Sequence, residues 1–172
     1  MISKTLQFTT LILDQFLKNR FGLAESKVVL NKLIEGNGTV PAINSNKVVI
    51  SLINIEKETA KPFYNRNQQL PAQSSTINPA ERYDLEVLIS SNFDDYAEGL
   101  KFLDAVIVFF EINYTFNSNS SSQIPSGLEK LEFELIKNTS QELYQVWSSI
   151  GASYQPSVSY KLRLIPHQET MN

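Results

Sequence analysis

At 172 residues with a formal charge of −3, 42% hydrophobic and 19% charged residues, the chain has the make-up of one globular domain. A domain of this length buries roughly two-thirds of the surface its unfolded chain exposes. No cysteine and a single histidine, His167, exclude disulfide frameworks, thiol nucleophiles and Cys-based or multi-His metal sites. The acidic balance, with no run of Lys or Arg, supplies no field for nucleic acid. Near the N-terminus, Gln7, Asp14 and Lys18 interrupt the apolar residues, which excludes a signal-peptide layout and a membrane span. The expectation is a cytoplasmic protein without a cofactor.

Residues 3–21 place Leu6, Leu13, Phe16 and Leu17 on one helical side, with Thr9 between them and Asp14 and Lys18 as an exposed i,i+4 pair. Gly22 is the expected stop. Two Val/Ile-rich runs, 27–33 and 47–55, predict strands joined by a turn at Glu35–Thr39. Gly36 and Gly38 lack the third glycine or the Lys-Ser/Thr ending of a phosphate loop. Residues 58–79 hold Pro62, Pro71 and Pro79 among Asn, Gln and Ser, and read as a long loop, either a binding arm or disordered. Its Phe63, Tyr64 and Leu70 favour an arm that orders on a partner.

Tyr83, Leu85, Val87 and Ile89 then alternate with Arg82, Asp84, Glu86 and Ser90, the pattern of a half-buried strand. Asn92–Asp95 suits a helix start, and 96–112 is a helix with almost half its circumference apolar. Leu100, Leu103, Ile107 and Phe110 fall on one flank, and Phe102, Val106 and Phe109 on the next. Such a helix must lie against a sheet. A second polar loop spans 117–127. Leu131, Phe133 and Leu135 alternate with Lys130, Glu132 and Glu134 as another strand, and Thr139–Glu142 has capping-box spacing for a helix carrying Leu143, Trp147 and Ile150 to Gly151. Val158, Tyr160, Leu162 and Leu164 against Ser159, Lys161 and Arg163 make the last strand. The fold class is therefore α+β: a single domain over 1–172, with a mixed, mostly antiparallel sheet of about four to six strands and helices packed on one face.

Chemistry is hard to place. His167 follows Pro166 beside a polar tail, where packing cannot hold it against a serine. Asp94 and Asp95 point in different directions and already suit helix capping. The lone Trp147 sits at core spacing. Two acidic-faced strands, with Asp84/Glu86 and Glu132/Glu134, coexist with one basic-faced strand carrying Lys161/Arg163. As neighbours they form cross-strand pairs within one chain; the alternative is a charged face shared between subunits.

Three stretches carry a family likeness: VVISLINIEKE (48–58), YDLEVLISSNFDDYAEGLKFLDAVIVFFEIN (83–113) and IPSGLEKLEFELIKNTSQELYQVWSSIGASYQPSVSYKLRLI (124–165). In order and spacing they resemble the tail-terminator, or cap, family of contractile phage-tail-like injection systems. The resemblance implies a tail-terminator-like fold and a homo-oligomeric ring, typically of six copies, on the last layer of inner tube and sheath. It also implies a structural role without catalytic, cofactor or metal residues, inside a phage tail-like particle assembled in the cytoplasm. Some relatives carry a further C-terminal domain, so the chain is either the main cap or a companion terminator. On this reading Phe63, Tyr64 and Leu70 form a tube- or sheath-binding arm, and Glu132, Glu134, Lys161 and Arg163 set subunit register. The competing reading is a monomeric α+β module that binds a peptide or small ligand under the 58–79 loop as a lid.

Overall fold

The computed structural model describes residues 1–58, 82–118 and 124–167. The first helix, α1 (Ile2–Phe21), buries Leu6, Phe8, Leu13 and Leu17 together with Thr5 and Thr9, whose hydroxyls donate to the carbonyls of Met1 (3.1 Å) and Thr5 (2.9 Å). Gly22 ends it with φ 64°, a left-handed conformation that costs glycine nothing.

The strand runs 27–33 and 47–55 become β1 (Val28–Leu30) and β2 (Lys47–Lys57). They pair in parallel, Val28 opposite Val48 and Leu30 opposite Ile50, so the connection is more than a turn. Asparagines are responsible: Asn31 Nδ2 donates to Asn44 Oδ1 (2.9 Å) and Asn44 Nδ2 to the Lys32 carbonyl (2.9 Å), returning the chain to enter β2 in the direction of β1. Asp14 helps from α1. It pairs with Lys18 at 3.1 Å as expected, but it is not simply an exposed partner, because Oδ1 also accepts from Ser26 Oγ (2.9 Å) and the N–H groups of Lys27 (2.8 Å) and Val28 (3.1 Å). Partial burial pushes its carboxyl pKa up, yet these donors and Lys18 together hold it below the ordinary value.

Next come β3 (Tyr83–Asn92) and α2 (Tyr96–Ile112), where the Asp95 carboxylate caps by accepting the Glu98 N–H (3.0 Å). A short strand not expected from the sequence, β4 (Thr115–Asn117), precedes β5 (Leu128–Ile136) and takes Asn117 from the expected 117–127 loop. The last elements are α3 (Ser140–Ile150), closed by a two-way Thr139–Glu142 capping box, and β6 (Ser157–Pro166). The Thr139 N–H and hydroxyl hold the Glu142 carboxyl below its ordinary pKa.

Among the described residues, six strands form one sheet in the order β1-β2-β3-β6-β5-β4, antiparallel except for β1–β2. The α+β, mixed and mostly antiparallel expectation holds. On one face lie α1 and α2 over a core that includes Leu85, Val87, Ile89, Leu131, Phe133, Tyr160, Leu162 and Leu164. Aromatic rings lock the layers, with Phe16 against Phe109 at 5.2 Å and Phe110 against Tyr160 at 4.3 Å. This burial raises the Tyr160 hydroxyl to a pKa of about 12, with Glu111 adding to the rise.

The one-face placement describes α1 and α2 only. Helix α3 lies on the other face, where Trp147 packs with Leu33, Val49 and Leu88. Consequently β3 is half-buried only near its start. From Val87 to Ser91 every residue is buried, because both faces are covered there.

Candidate functional site

Beyond the reach of α3, the second face of the sheet is a lattice of charge. The register puts Asp84 opposite Arg163 and Glu86 opposite Lys161 on one side of β6, and Glu132 opposite Arg163 and Glu134 opposite Lys161 on the other. The basic strand therefore lies between two acidic ones. Arg163 contacts Glu134 at 2.7 Å and Asp84 at 4.0 Å, while Lys161 contacts Glu56 at 3.4 Å and Asp84 at 3.9 Å. Glu132 is held by Lys130 at 2.5 Å. Burial raises the Asp84 carboxyl pKa, and Lys161 and Arg163 oppose that rise without cancelling it. Partly solvated pairs of this kind contribute about 0–1 kcal/mol each.

All four of the residues expected to set register, Glu132, Glu134, Lys161 and Arg163, thus lie on one face of a single chain; Glu134, Lys161 and Arg163 are linked through ion pairs that include Asp84, while Glu132 pairs with Lys130. Glu56 completes the cluster. Its part was invisible in sequence because the strand order that carries β2 to this face is not encoded in local periodicity. The expected arm residues Phe63, Tyr64 and Leu70 lie outside the described residues.

The other candidates are structural. Asp95 caps α2, and Asp94 turns instead to accept from Asn46 Nδ2 at 3.0 Å. His167 is exposed, and its backbone N–H donates to the Gly127 carbonyl (3.1 Å). Trp147 is buried, as its helical spacing indicates. Among the described residues no group of His, Asp and Glu could hold a metal ion, and no helix is long and apolar enough to cross a membrane. An open groove of about 330 Å³ lies at the start of α2, between Phe93 and Tyr96 on one side and Tyr154 and Pro156 on the other. Of its polar lining, Gln155 Nε2 donates to Asn92 Oδ1 (2.9 Å) and Ser91 Oγ donates to the Gly99 carbonyl (2.7 Å), while Gln155 Oε1 is buried with no hydrogen-bond partner among the described residues. No nucleophile faces an acid or base there.

Residues 9–172 match the Pvc16 N-terminal domain family. The chain belongs to that family. The resemblance to tail terminators of contractile injection systems is thereby borne out. Two solved structures are similar to this member. One is the tube-terminating cap of the anti-feeding prophage, 14% identical, with 92% of this chain and 54% of that chain covered and a TM-score of 0.45. The other is the sheath/tube terminator of an extracellular contractile injection system, PVC, in the extended state, 12% identical, with 91% and 56% covered and a TM-score of 0.47. The chain spans about half the length of these two structures. No curated protein matches it.

Proposed function

We propose that this Pvc16 N-terminal domain chain is a terminating cap of a contractile injection particle. It acts by shape, as a ring of copies on the last layer of inner tube and sheath, where it stops polymerisation and clamps one cylinder to the other. The observation that carries this reading is family membership over residues 9–172, almost the whole chain. The chemistry agrees with it: the polar clusters serve capping, strand pairing and charge neutralisation within the fold. Self-association into a ring needs head-to-tail contacts that close, and an open six-stranded sheet with a charged face provides surfaces for them.

In this assignment Phe63, Tyr64 and Leu70 supply apolar contacts to tube or sheath, and Glu132, Glu134, Lys161 and Arg163 help set the register between copies. Assembly takes place in the cytoplasm, with the chain as either the main cap or the companion of a second terminator. Affinity purification of the tagged chain from cells expressing the particle tests the proposal. Tube and sheath proteins are expected to co-purify in a large assembly. A 19.5 kDa species free of both, from cells in which particles assemble, would contradict it.

A further inference from the structure

The sheet ends in two short strands, each covering only part of its longer neighbour. β1 pairs with Val48–Ile50 of β2, and β4 with Lys130–Glu132 of β5. Past those pairs, among the described residues, no strand flanks the outer side of β2 from Leu52 or of β5 at Leu135. Both stretches carry exposed apolar side chains: Leu52 is 37% exposed, Ile55 46% and Leu135 46%. Single exposed aliphatics are ordinary on a protein surface. These are related by register.

Leu52 opposes Val87, Val87 opposes Tyr160, and Tyr160 opposes Leu135, so the four form one lateral row across the sheet on the face covered by α1 and α2. The inner pair is buried, Val87 at 0% and Tyr160 at 3%, and the row terminates at both edges in an exposed leucine. An adjacent row on the charged face runs from Asn54 through Glu86 and Lys161 to Glu134, with an amide at one edge and a carboxylate at the other.

From these rows we infer that copies of this chain join edge to edge, the Leu52–Ile55 stretch of one lying against Leu135 of the next. The inference rests on the cap reading and names the surface through which the ring closes. Three features select a second copy as the occupant. β2 and β5 run in opposite directions within the sheet, so a neighbour in the same orientation presents β2 antiparallel to β5. Leucines at one height seat the copies side by side, which suits a closed ring better than a stacked filament. The same alignment sets Asn54, a donor, near Glu134, an acceptor.

The isolated chain is also protected against indiscriminate strand pairing. The β2 register shifts between Leu52 and Asn54, and the Ile55 N–H is occupied by Asn54 Oδ1 at 2.9 Å. Docking displaces the Ile55–Asn54 hydrogen bond and covers three exposed aliphatic side chains, and the Asn54 amide, which donates one N–H to Glu56 Oε1 at 3.2 Å, has a second N–H to offer.

Because the chain has no cysteine, the joint can be tested by disulfide trapping on assembled particles. Leu52→Cys and Leu135→Cys are introduced singly and together, with unchanged thermal melting as the control for folding. Under oxidation the double variant is expected to give a ladder of covalent multimers, a mixture of the two single variants to give dimers, and each single variant alone to give none, since the contact is head-to-tail. Covalent dimers from a single variant, a link to a different particle protein, or no ladder from a chain located at particle ends would overturn the joint while leaving the cap reading intact. Absence of the chain from particle ends would overturn the reading, and the joint with it.

Discussion

Helix α3 is held to the sheet by a small cluster, and Trp147 is its largest member, which makes the position a sharp test of what fixes the second face. Trp147 is 4% exposed against Leu33, Val49 and Leu88, so Trp147→Ala leaves a cavity between α3 and the sheet and is expected to destabilise the fold by about 3–5 kcal/mol. Its indole N–H adds a second constraint, because Nε1 is buried with no hydrogen-bond partner among the described residues. A buried donor left unpaired costs about 1–3 kcal/mol. Trp147→Phe removes that donor along with contact area worth about 1–2 kcal/mol, so the two changes nearly cancel and the net effect is expected within about 1 kcal/mol of the parent. Urea unfolding followed by far-ultraviolet circular dichroism measures both variants on one scale. Hydrogen exchange should show added opening of Val87–Ser91 in Trp147→Ala and little change in Trp147→Phe. If the phenylalanine variant proves as unstable as the alanine variant, the indole N–H carries a bond, and the account of α3 as docked by apolar contact alone is wrong.

Phe109→Ala, in the α2 layer against Phe16 and Phe110, should cost about 3–5 kcal/mol in the same unfolding assay. Asp14→Asn should lower stability at pH 7 and flatten its fall in acid. The folded-state pKa of Asp14 lies below the ordinary 3.8, so its contribution is present above that value and is lost as pH falls through the folded pKa, a trend readable by thermal melts between about pH 5 and pH 2. Thr139→Ala removes the α3 capping box and should cost about 1 kcal/mol, with the loss of protection concentrated in the first turn of that helix by hydrogen exchange. Deleting residues 61–76, which carry Phe63, Tyr64 and Leu70, should leave the melting transition in place while loosening attachment to tube and sheath; normal tail lengths and sheath attachment in particles built with that deletion would refute the arm.

Periodicity and caps were the parts of this fold that sequence could express. Asp95 before Tyr96, the Thr139–Glu142 spacing and Gly151 each act through local hydrogen bonds or a backbone angle, and each element starts or stops where those residues require. The alternation in 83–89, 131–135 and 158–164 likewise shows which side chains face α1 and α2. Relations between distant segments were not legible. The parallel β1–β2 pair depends on Asn31 meeting Asn44, and Asp14 caps backbone that lies thirteen and fourteen residues away. Strand β4, three residues long, is too short to show a period of two. Placement of α3 on the opposite face follows from Leu88 and Val49, apolar residues on the side of their strands that alternation would otherwise assign to water. The charged cluster was half legible: the facing signs of β3, β5 and β6 could be read, but their adjacency, and the entry of Glu56, required the strand order.

Electron microscopy of the ends of particles purified with this chain decides whether it sits at the terminus. Density for the six-stranded domain, repeated around the axis on the last layer of tube and sheath at one end only, is the predicted result. Particles whose ends lack the chain, or that carry it along the shaft, would contradict the account.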